Sequence, residues 1–347
     1  MIMATLNFDD LGALYFPPEL DDMWVVRDDP FTLKLNAGGY SDTWNLTPND
    51  DGEVKLCGVG GLLADIVDRT PQTCSLQCDA EAAKSFKVLP CRRQTGASAE
   101  EFCRSHFLTM HTGRKRTYGR AVEYLSFYKT EKGTLNVQAV MVFTNVSTGE
   151  VSERTVIIAR TDVMTNNNGL YTVDVSPRIL ARLTPEDCRL AAYEIQAGKR
   201  TMAYAVEPVA DAAPVTLCFR NNFGQWDTFH FFGNVDSELK PERSAAAIDG
   251  QTKNYRATGT AEFTGHTGPL APGAFALFAD LCMALEVRLG ISTGRELTIT
   301  GNECKLSNDR YAPQSGTLTW RHSDNSAPFA DALSARVFDA TFDTTFE

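Results

Sequence analysis

No run in this chain approaches the roughly 18–20 uninterrupted apolar residues that a membrane-crossing helix needs, so no membrane span is expected. The opening Met1–Phe16 stretch lacks a basic start and reaches Asp9 and Asp10 before any apolar run develops, which is not the pattern of a secretory leader. The expectation is a chain that stays in the cytoplasm where it is made, or leaves by a route that needs no leader. Positive charge is short too: 33 Lys and Arg against 44 Asp and Glu leave a net charge of −11. Phosphate contacts need a positive footprint, so no nucleic-acid partner is expected. The one basic run, Arg114-Lys115-Arg116 with Arg120 nearby, reads as a solvated linker after a helix.

Residues that carry chemistry are equally sparse. Of five histidines, His106 and His111 do not share a helical face as an i, i+4 ligand pair would, and His230, His266 and His322 stand apart. Cys74-x-x-x-Cys78 has the wrong spacing for a redox pair, and no second CxxC exists to build a zinc ribbon. Gly58-Val-Gly-Gly61 lacks the Lys-Ser/Thr of a phosphate loop, and no G-x-S-x-G elbow appears. Asp9/Asp10, Asp21/Asp22 and Asp28/Asp29 read as acidic loops, and no EF-hand-type loop is present. The sequence thus predicts no catalytic residue, no cofactor and no metal. A glycosidase-type carboxylate pair assembled by the fold from distant positions stays open. The nine cysteines are odd in number and unevenly spaced, and most lie in apolar runs, so buried reduced thiols are expected.

What is present is β-pattern. Apolar and polar residues alternate over Phe31–Leu35, Leu135–Phe143, Arg154–Ala159, Tyr171–Val175, Met202–Val206, Trp226–Phe232 and Glu296–Thr300. Asn-Asp-Asp-Gly at 49–52, Asn-Asn-Asn-Gly at 166–169 and Ala-Gly-Lys at 197–199 supply turns. Helices are few. Ser98 followed by Glu101 is an N-cap signature opening a helix to about Met110. Pro272 opens another over 273–286, with Ala274, Leu277, Phe278, Leu281 and Leu285 on one stripe.

The segment Gly52–Ile66 aligns with Gly169–Leu183, pairing Val54 with Tyr171, Leu56 with Val173, Leu62 with Ile179, Leu63 with Leu180 and Ile66 with Leu183. Each copy reads as turn, strand and short helix. Each follows a strand (Phe31–Leu35; Arg154–Ala159) and precedes two more. A period of this size is too long for a solenoid unit and suits a duplicated domain. The prediction is a mainly β chain of sandwich-like modules: 1–112, its repeat 113–235, and a C-terminal α+β unit 236–347.

Two aromatic segments remain. The first, Cys218–Gly233, predicts a hairpin that is either a packed core or an interaction face carrying Arg220, Asn222, Phe223, Trp226 and Phe229. The second has Phe338, Phe342 and Phe346 four residues apart, each followed by an acid, and is either a final strand or a docking peptide. The Asn221–Phe229 hairpin and the Phe338–Phe346 repeat resemble uncharacterised proteins of phages and prophages of gut Bacteroidetes. The stretches Val122–Tyr128 and Leu270–Asn308 fit the same likeness. The resemblance implies a virion component of tail or baseplate type, in the virion or the host cytoplasm, partnered by its own copies or other virion proteins. The alternative is a carbohydrate- or receptor-binding β protein, with a glycan as partner and Trp24, Trp44, Trp226 and Trp320 as the candidate stacking residues.

Overall fold

The structure is a computed structural model that describes residues 6–208, 214–248, 251–305 and 314–323. Its first strands are β1 (Leu6–Asn7), β2 (Leu14–Tyr15), β3 (Asp22–Val26), β4 (Phe31–Ala37), β5 (Tyr40–Leu46) and β6 (Glu53–Cys57). Helix α1 (Val59–Ile66) and strands β7 (Gln72–Cys78) and β8 (Lys84–Val88) complete a module. The period-2 pattern does what a half-buried strand requires. Phe31, Leu33, Leu35 and Ala37 of β4 point inward with Cys74, Leu76 and Cys78 of β7, against Met23 and Val25 of β3 and Leu63 of α1. One sheet runs β2-β8-β7-β4-β5, and β1-β3-β6 faces the same core.

Helix α2 (Ala99–Ser105) is capped as expected, Ser98 Oγ accepting from the Glu101 amide at 3.3 Å. It stops at Ser105 rather than near Met110. The chain leaves the helix at His106 and bends at Leu108, where Phe107 and Leu108 are buried and the Leu108 amide donates to the Ser126 carbonyl at 2.8 Å.

A second module follows: β9 (Arg114–Tyr118), β10 (Tyr124–Tyr128), β11 (Asn136–Asn145), β12 (Val151–Arg160), β13 (Leu170–Asp174), the short helix α3 (Pro177–Leu180), β14 (Cys188–Ala197) and β15 (Arg200–Glu207). Its large sheet runs β12-β11-β14-β15-β9, with β10-β13 opposite. This order repeats that of the first module strand for strand. A hairpin (β4/β5; β11/β12) is followed by two antiparallel strands and closed by a short strand parallel to its neighbour (β2 on β8; β9 on β15). The antiparallel pair β3/β6 corresponds to β10/β13, and α1 corresponds to α3. It is the C′-C-F-G order of an immunoglobulin-type Greek key, with strand A parallel to G and strands B and E on the other sheet. One correspondence differs from the sequence alignment. Phe31–Leu35 lies in β4, whose counterpart is β11, whereas Arg154–Ala159 lies in β12, the counterpart of β5.

The last part contains β16 (Val215–Arg220), β17 (Trp226–Phe231), β18 (Val235–Ile248), β19 (Gln251–His266), α4 (Pro272–Cys282), β20 (Val287–Leu289), β21 (Glu296–Lys305) and β22 (Ser315–His322). Its seven strands run β17-β16-β20-β21-β22-β19-β18. Leu277, Phe278 and Leu281 of α4 pack with Phe229, Phe231 and Trp320. The helix ends before Leu285, which is 82% exposed. The boundary expected at 235/236 is corrected, because β16 and β17 share this sheet.

By their contacts the residues form two units, Met1–Ala210 with Arg220–Asp227, and Asp211–Phe219 with Thr228–Glu347. Both sandwich modules fall in the first unit, where a further core (Phe16, Leu89, Phe102, Leu108, Tyr128, Phe223) draws on each. In the second unit, β18 and β19 form a long ribbon. Only Phe263–His266 of β19 pairs with β22, and β18 is the sheet edge. Residues 238–248 pair with 251–262 and, among the described residues, with no third strand. At ~3.3 Å per residue that free ribbon is about 35 Å long.

Candidate functional site

The residues 220–227 form a tight tip built around two asparagines. Asn221 Oδ1 accepts from the amides of Phe223 and Gln225, both at 3.0 Å, and its Nδ2 donates to the Leu108 carbonyl at 2.8 Å. Asn222 Oδ1 accepts from the amides of Arg92 and Arg93 at 3.2 and 2.8 Å. Phe223 is fully buried, its ring centroid 5.1 Å from that of Phe102 and 5.7 Å from that of Phe16. Gly224 has φ +65, and a Cβ there would stand 2.3 Å from the Asp68 carbonyl oxygen. Gly224→Ala is therefore expected to cost about 2–4 kcal/mol through strain and collision together. A lowered melting midpoint, with faster hydrogen exchange at the Arg92 and Arg93 amides, checks it.

The tip carries Asp227, and it completes a buried ion cluster. Lys115 Nζ lies 2.8 Å from Glu123 Oε2 and 3.0 Å from Asp227 Oδ1, with the three side chains 6%, 0% and 3% exposed. Thr109 Oγ1 donates to Asp227 Oδ2 at 2.5 Å. Burial alone would pull the Lys115 pKa down, but Asp227 and Glu123 outweigh it and hold it above the ordinary value. Neighbouring residues of the large sheet extend the cluster: Tyr204 registers with Lys115 and with Tyr193, and the two tyrosine rings stack at 4.5 Å. Burial, with the Glu123 charge adding to it, pushes both phenols well above their usual pKa.

His111 lies among these charges. Burial first, then Lys115, pushes its pKa down to about 4 from 6.5. The fold thus holds it neutral where the unfolded chain would protonate it. Its contribution is fully present above pH ~6.5 and falls away as pH drops toward ~4, by about 3 kcal/mol in all. Stability measured from pH 7 to 4 should lose that slope in His111→Gln.

A groove of about 700 Å³ opens elsewhere on the first unit. Ala13, Leu14 and Tyr128 give it apolar lining, and Lys87, Arg104, Lys129 and Lys199 give it charge. Of its two acids, Glu100 is bound by Arg104 at 2.8 Å and Glu131 by Arg200 at 2.7 Å. Lys87 Nζ donates to the Asn168 carbonyl and lies 5.8 Å from the Tyr128 ring centroid, and Lys129 Nζ donates to the Gly133 carbonyl. Among the described residues no carboxylate lies within ion-pair range of Lys87, Lys129 or Lys199.

The walls are held by one side chain. Arg200 is fully buried, donating to the Cys103 carbonyl (2.7 Å), the Tyr128 carbonyl (2.9 Å) and the Ala197 carbonyl (3.2 Å), and gripping both oxygens of Glu131. These carbonyls lie on α2 and on the last residues of β10 and β14, beside Arg104, Lys129 and Lys199 of the lining. The groove is preorganised.

The expected interaction face is not open as drawn. Asn222 and Phe229 are 2% and 4% exposed and Phe223 fully buried, because the tip is spent on internal hydrogen bonds and core packing. Arg220 and Trp226 are half-buried, with the guanidinium 4.0 Å over the indole. Phe338, Phe342 and Phe346 lie outside the described residues. Of the candidate stacking residues, Trp320 is buried, Trp44 packs on the first core, Trp226 lies under Arg220 and Trp24 is half-buried on β3. The basic run 114–116 is corrected from solvated linker to strand β9, with Lys115 inside. The signal available was alternation, with Lys115 and Thr117 inward and Arg114 and Arg116 outward. The thiols of Cys74 and Cys103 are buried and pushed up to about 11 and about 12 by that burial, which makes them inert at neutral pH.

No protein-family model matches the chain, and no curated protein sequence matches it. Two solved structures show slight likeness. One concerns host cell surface retention of a 1.5-MDa bacterial ice-binding adhesin: 12% identity, 89% of this chain and 93% of the other, TM-score 0.16. The other is a Ca²⁺-stabilised adhesin by which an Antarctic bacterium binds ice: 14% identity, 92% of this chain and 73% of the other, TM-score 0.15. Scores this low bear on neither fold nor role. No helix among the described residues is long and apolar enough to cross a membrane.

Proposed function

We propose that this chain is a non-catalytic structural subunit that works by assembling with further copies of itself, as a component of a phage-like particle. The observation that carries the assembly is the ribbon of β18 and β19. A two-stranded hairpin alone is marginal in water, and an exposed edge such as β18 is a template for pairing with another chain. A ribbon of about 35 Å at ~3.3 Å per residue gains its missing partners in a ring or stack of subunits. The two sandwich modules support the same role, since their packed cores supply stiff parts for an assembly. The particle type rests on the resemblance of the aromatic segments to phage and prophage proteins.

The test is mass in solution. Wild-type chain is expected to form a defined oligomer by sedimentation equilibrium, and a variant with 239–261 replaced by a two-residue Asn-Gly turn to remain monomeric with its melting transition retained. A wild-type chain that stays monomeric at high concentration would sink the proposal. The finer reading predicts that the chain bands with particles released from lysed host cells, detected there by mass spectrometry.

A further inference from the structure

We infer that the lysine-lined groove of the first unit is a docking site for the segment Arg336–Glu347 of a neighbouring copy. The inference rests on the assembly reading above and names a second contact for it.

The groove carries a charge opposite to that of its own chain. The protein has a net charge of −11, yet Lys87, Lys129 and Lys199 converge with no carboxylate to neutralise them, and both acids of the lining are already bound by arginines. Like charges brought together without counter-charge are unfavourable, so an arrangement held by a buried Arg200 is best accounted for by an anionic occupant. The apolar lining from Ala13, Leu14 and Tyr128 asks that the occupant also bring apolar groups.

Nucleic acid fits poorly. It needs exposed aromatic faces for stacking or a wide basic footprint, whereas Tyr128 is 9% exposed and the rest of the chain is acidic. A peptide of alternating aromatic and acidic residues fits both demands. The chain contains one: Phe338-Asp339, Phe342-Asp343 and Phe346-Glu347 repeat within the last dozen residues of the sequence. Three acids match three lysines that have no carboxylate within ion-pair range, and the phenylalanines match the apolar lining. Phe residues four apart with acids between them put aromatic and acidic side chains on opposite faces of an extended peptide.

A charge swap in the full-length chain tests it. One variant carries Lys87→Glu, Lys129→Glu and Lys199→Glu; a second carries Asp339→Lys, Asp343→Lys and Glu347→Lys; a third carries all six. Melting curves confirm folding, and sedimentation equilibrium gives the association constant. Each triple variant should associate at least about tenfold more weakly, and the six-fold variant should recover most of the loss. Association should also weaken with added salt. A fluorescein-labelled peptide of residues 334–347 should bind wild type and fail on the groove variant.

Association that is insensitive to both triple variants, or a six-fold variant that does not recover, overturns the docking while leaving the ribbon-based assembly intact. A wild-type chain that never associates overturns the assembly, and with it delivery by a neighbour. Equal peptide binding by wild type and groove variant overturns the groove as the site.

Discussion

Lys115→Met should lower the stability of the first unit by about 3–5 kcal/mol, while Asp227→Asn should cost less than about 2 kcal/mol. The asymmetry follows from the count of charges. One ammonium serves two carboxylates, all three nearly inaccessible to water. Removing the cation takes from Glu123 and Asp227 the ammonium that both contact in the interior, where desolvation of a carboxylate is costly. Removing one carboxylate leaves a one-to-one pair of Lys115 and Glu123, and an amide at 227 still accepts from Thr109. Methionine has nearly the length of lysine and fills the same space, so the loss reports charge rather than volume. Hydrogen exchange across Glu123, Val175 and the 221–227 tip is the measurement, since Val175 donates to the Glu123 carbonyl. Equal costs for the two variants would mean that the ion cluster is not the source of the effect.

Arg200→Met should cost a comparable about 3–5 kcal/mol, and Arg200→Lys about 2–3 kcal/mol. Three main-chain carbonyls, of Cys103, Tyr128 and Ala197, accept from one planar fork. A buried carbonyl left without a donor costs about 1–3 kcal/mol. Lysine keeps the charge but presents a point with three donors and cannot bridge Glu131 while reaching the carbonyls. Because Tyr128 lines the groove and Cys103 and Ala197 lie on the elements next to it, Arg200→Lys should also weaken binding of the 334–347 peptide although Lys87, Lys129 and Lys199 are untouched. A urea transition shows the first effect and peptide titration the second. Lost stability with unchanged peptide affinity would separate Arg200 from the groove.

Much of the architecture was legible because it depends on local pattern. Phe31 to Leu35 alternates strictly, and one face had to be buried. Ser98 and Glu101 announced the start of α2, and Asn168-Gly169 a turn of positive φ, with φ of 54 and 94. The repeated element order shows in Gly52–Ile66 against Gly169–Leu183 because both stretches keep the same apolar positions in their strand and in the helical turns after it. The misplaced partner strand shows the limit. Two adjacent hairpin strands look alike in sequence, and only the ladder distinguishes β4 from β5.

The functional candidates were less legible, for a different reason. Arg114-Lys115-Arg116 looks solvated because a charge run usually is, and nothing within it signals that Asp227, more than a hundred residues later, will arrive to pair with Lys115. Lys87 on β8, Lys129 after β10 and Lys199 in the 197–199 turn are far apart in sequence and line one groove only in the folded chain, where Arg200 ties the segments of the last two together. The aromatic hairpin, legible as a strand-turn-strand, could not reveal whether Phe223 and Asn222 faced a partner or the interior. Composition and periodicity by themselves determined a mainly β chain with a repeated module and few helices, since hydrophobic burial at period 2 is a local demand on the chain. The tertiary structure alone decided which charges are buried, which lysines stand without a carboxylate and which aromatics are spent on the core, because desolvation and ion pairing depend on residues that only folding brings within a few ångströms.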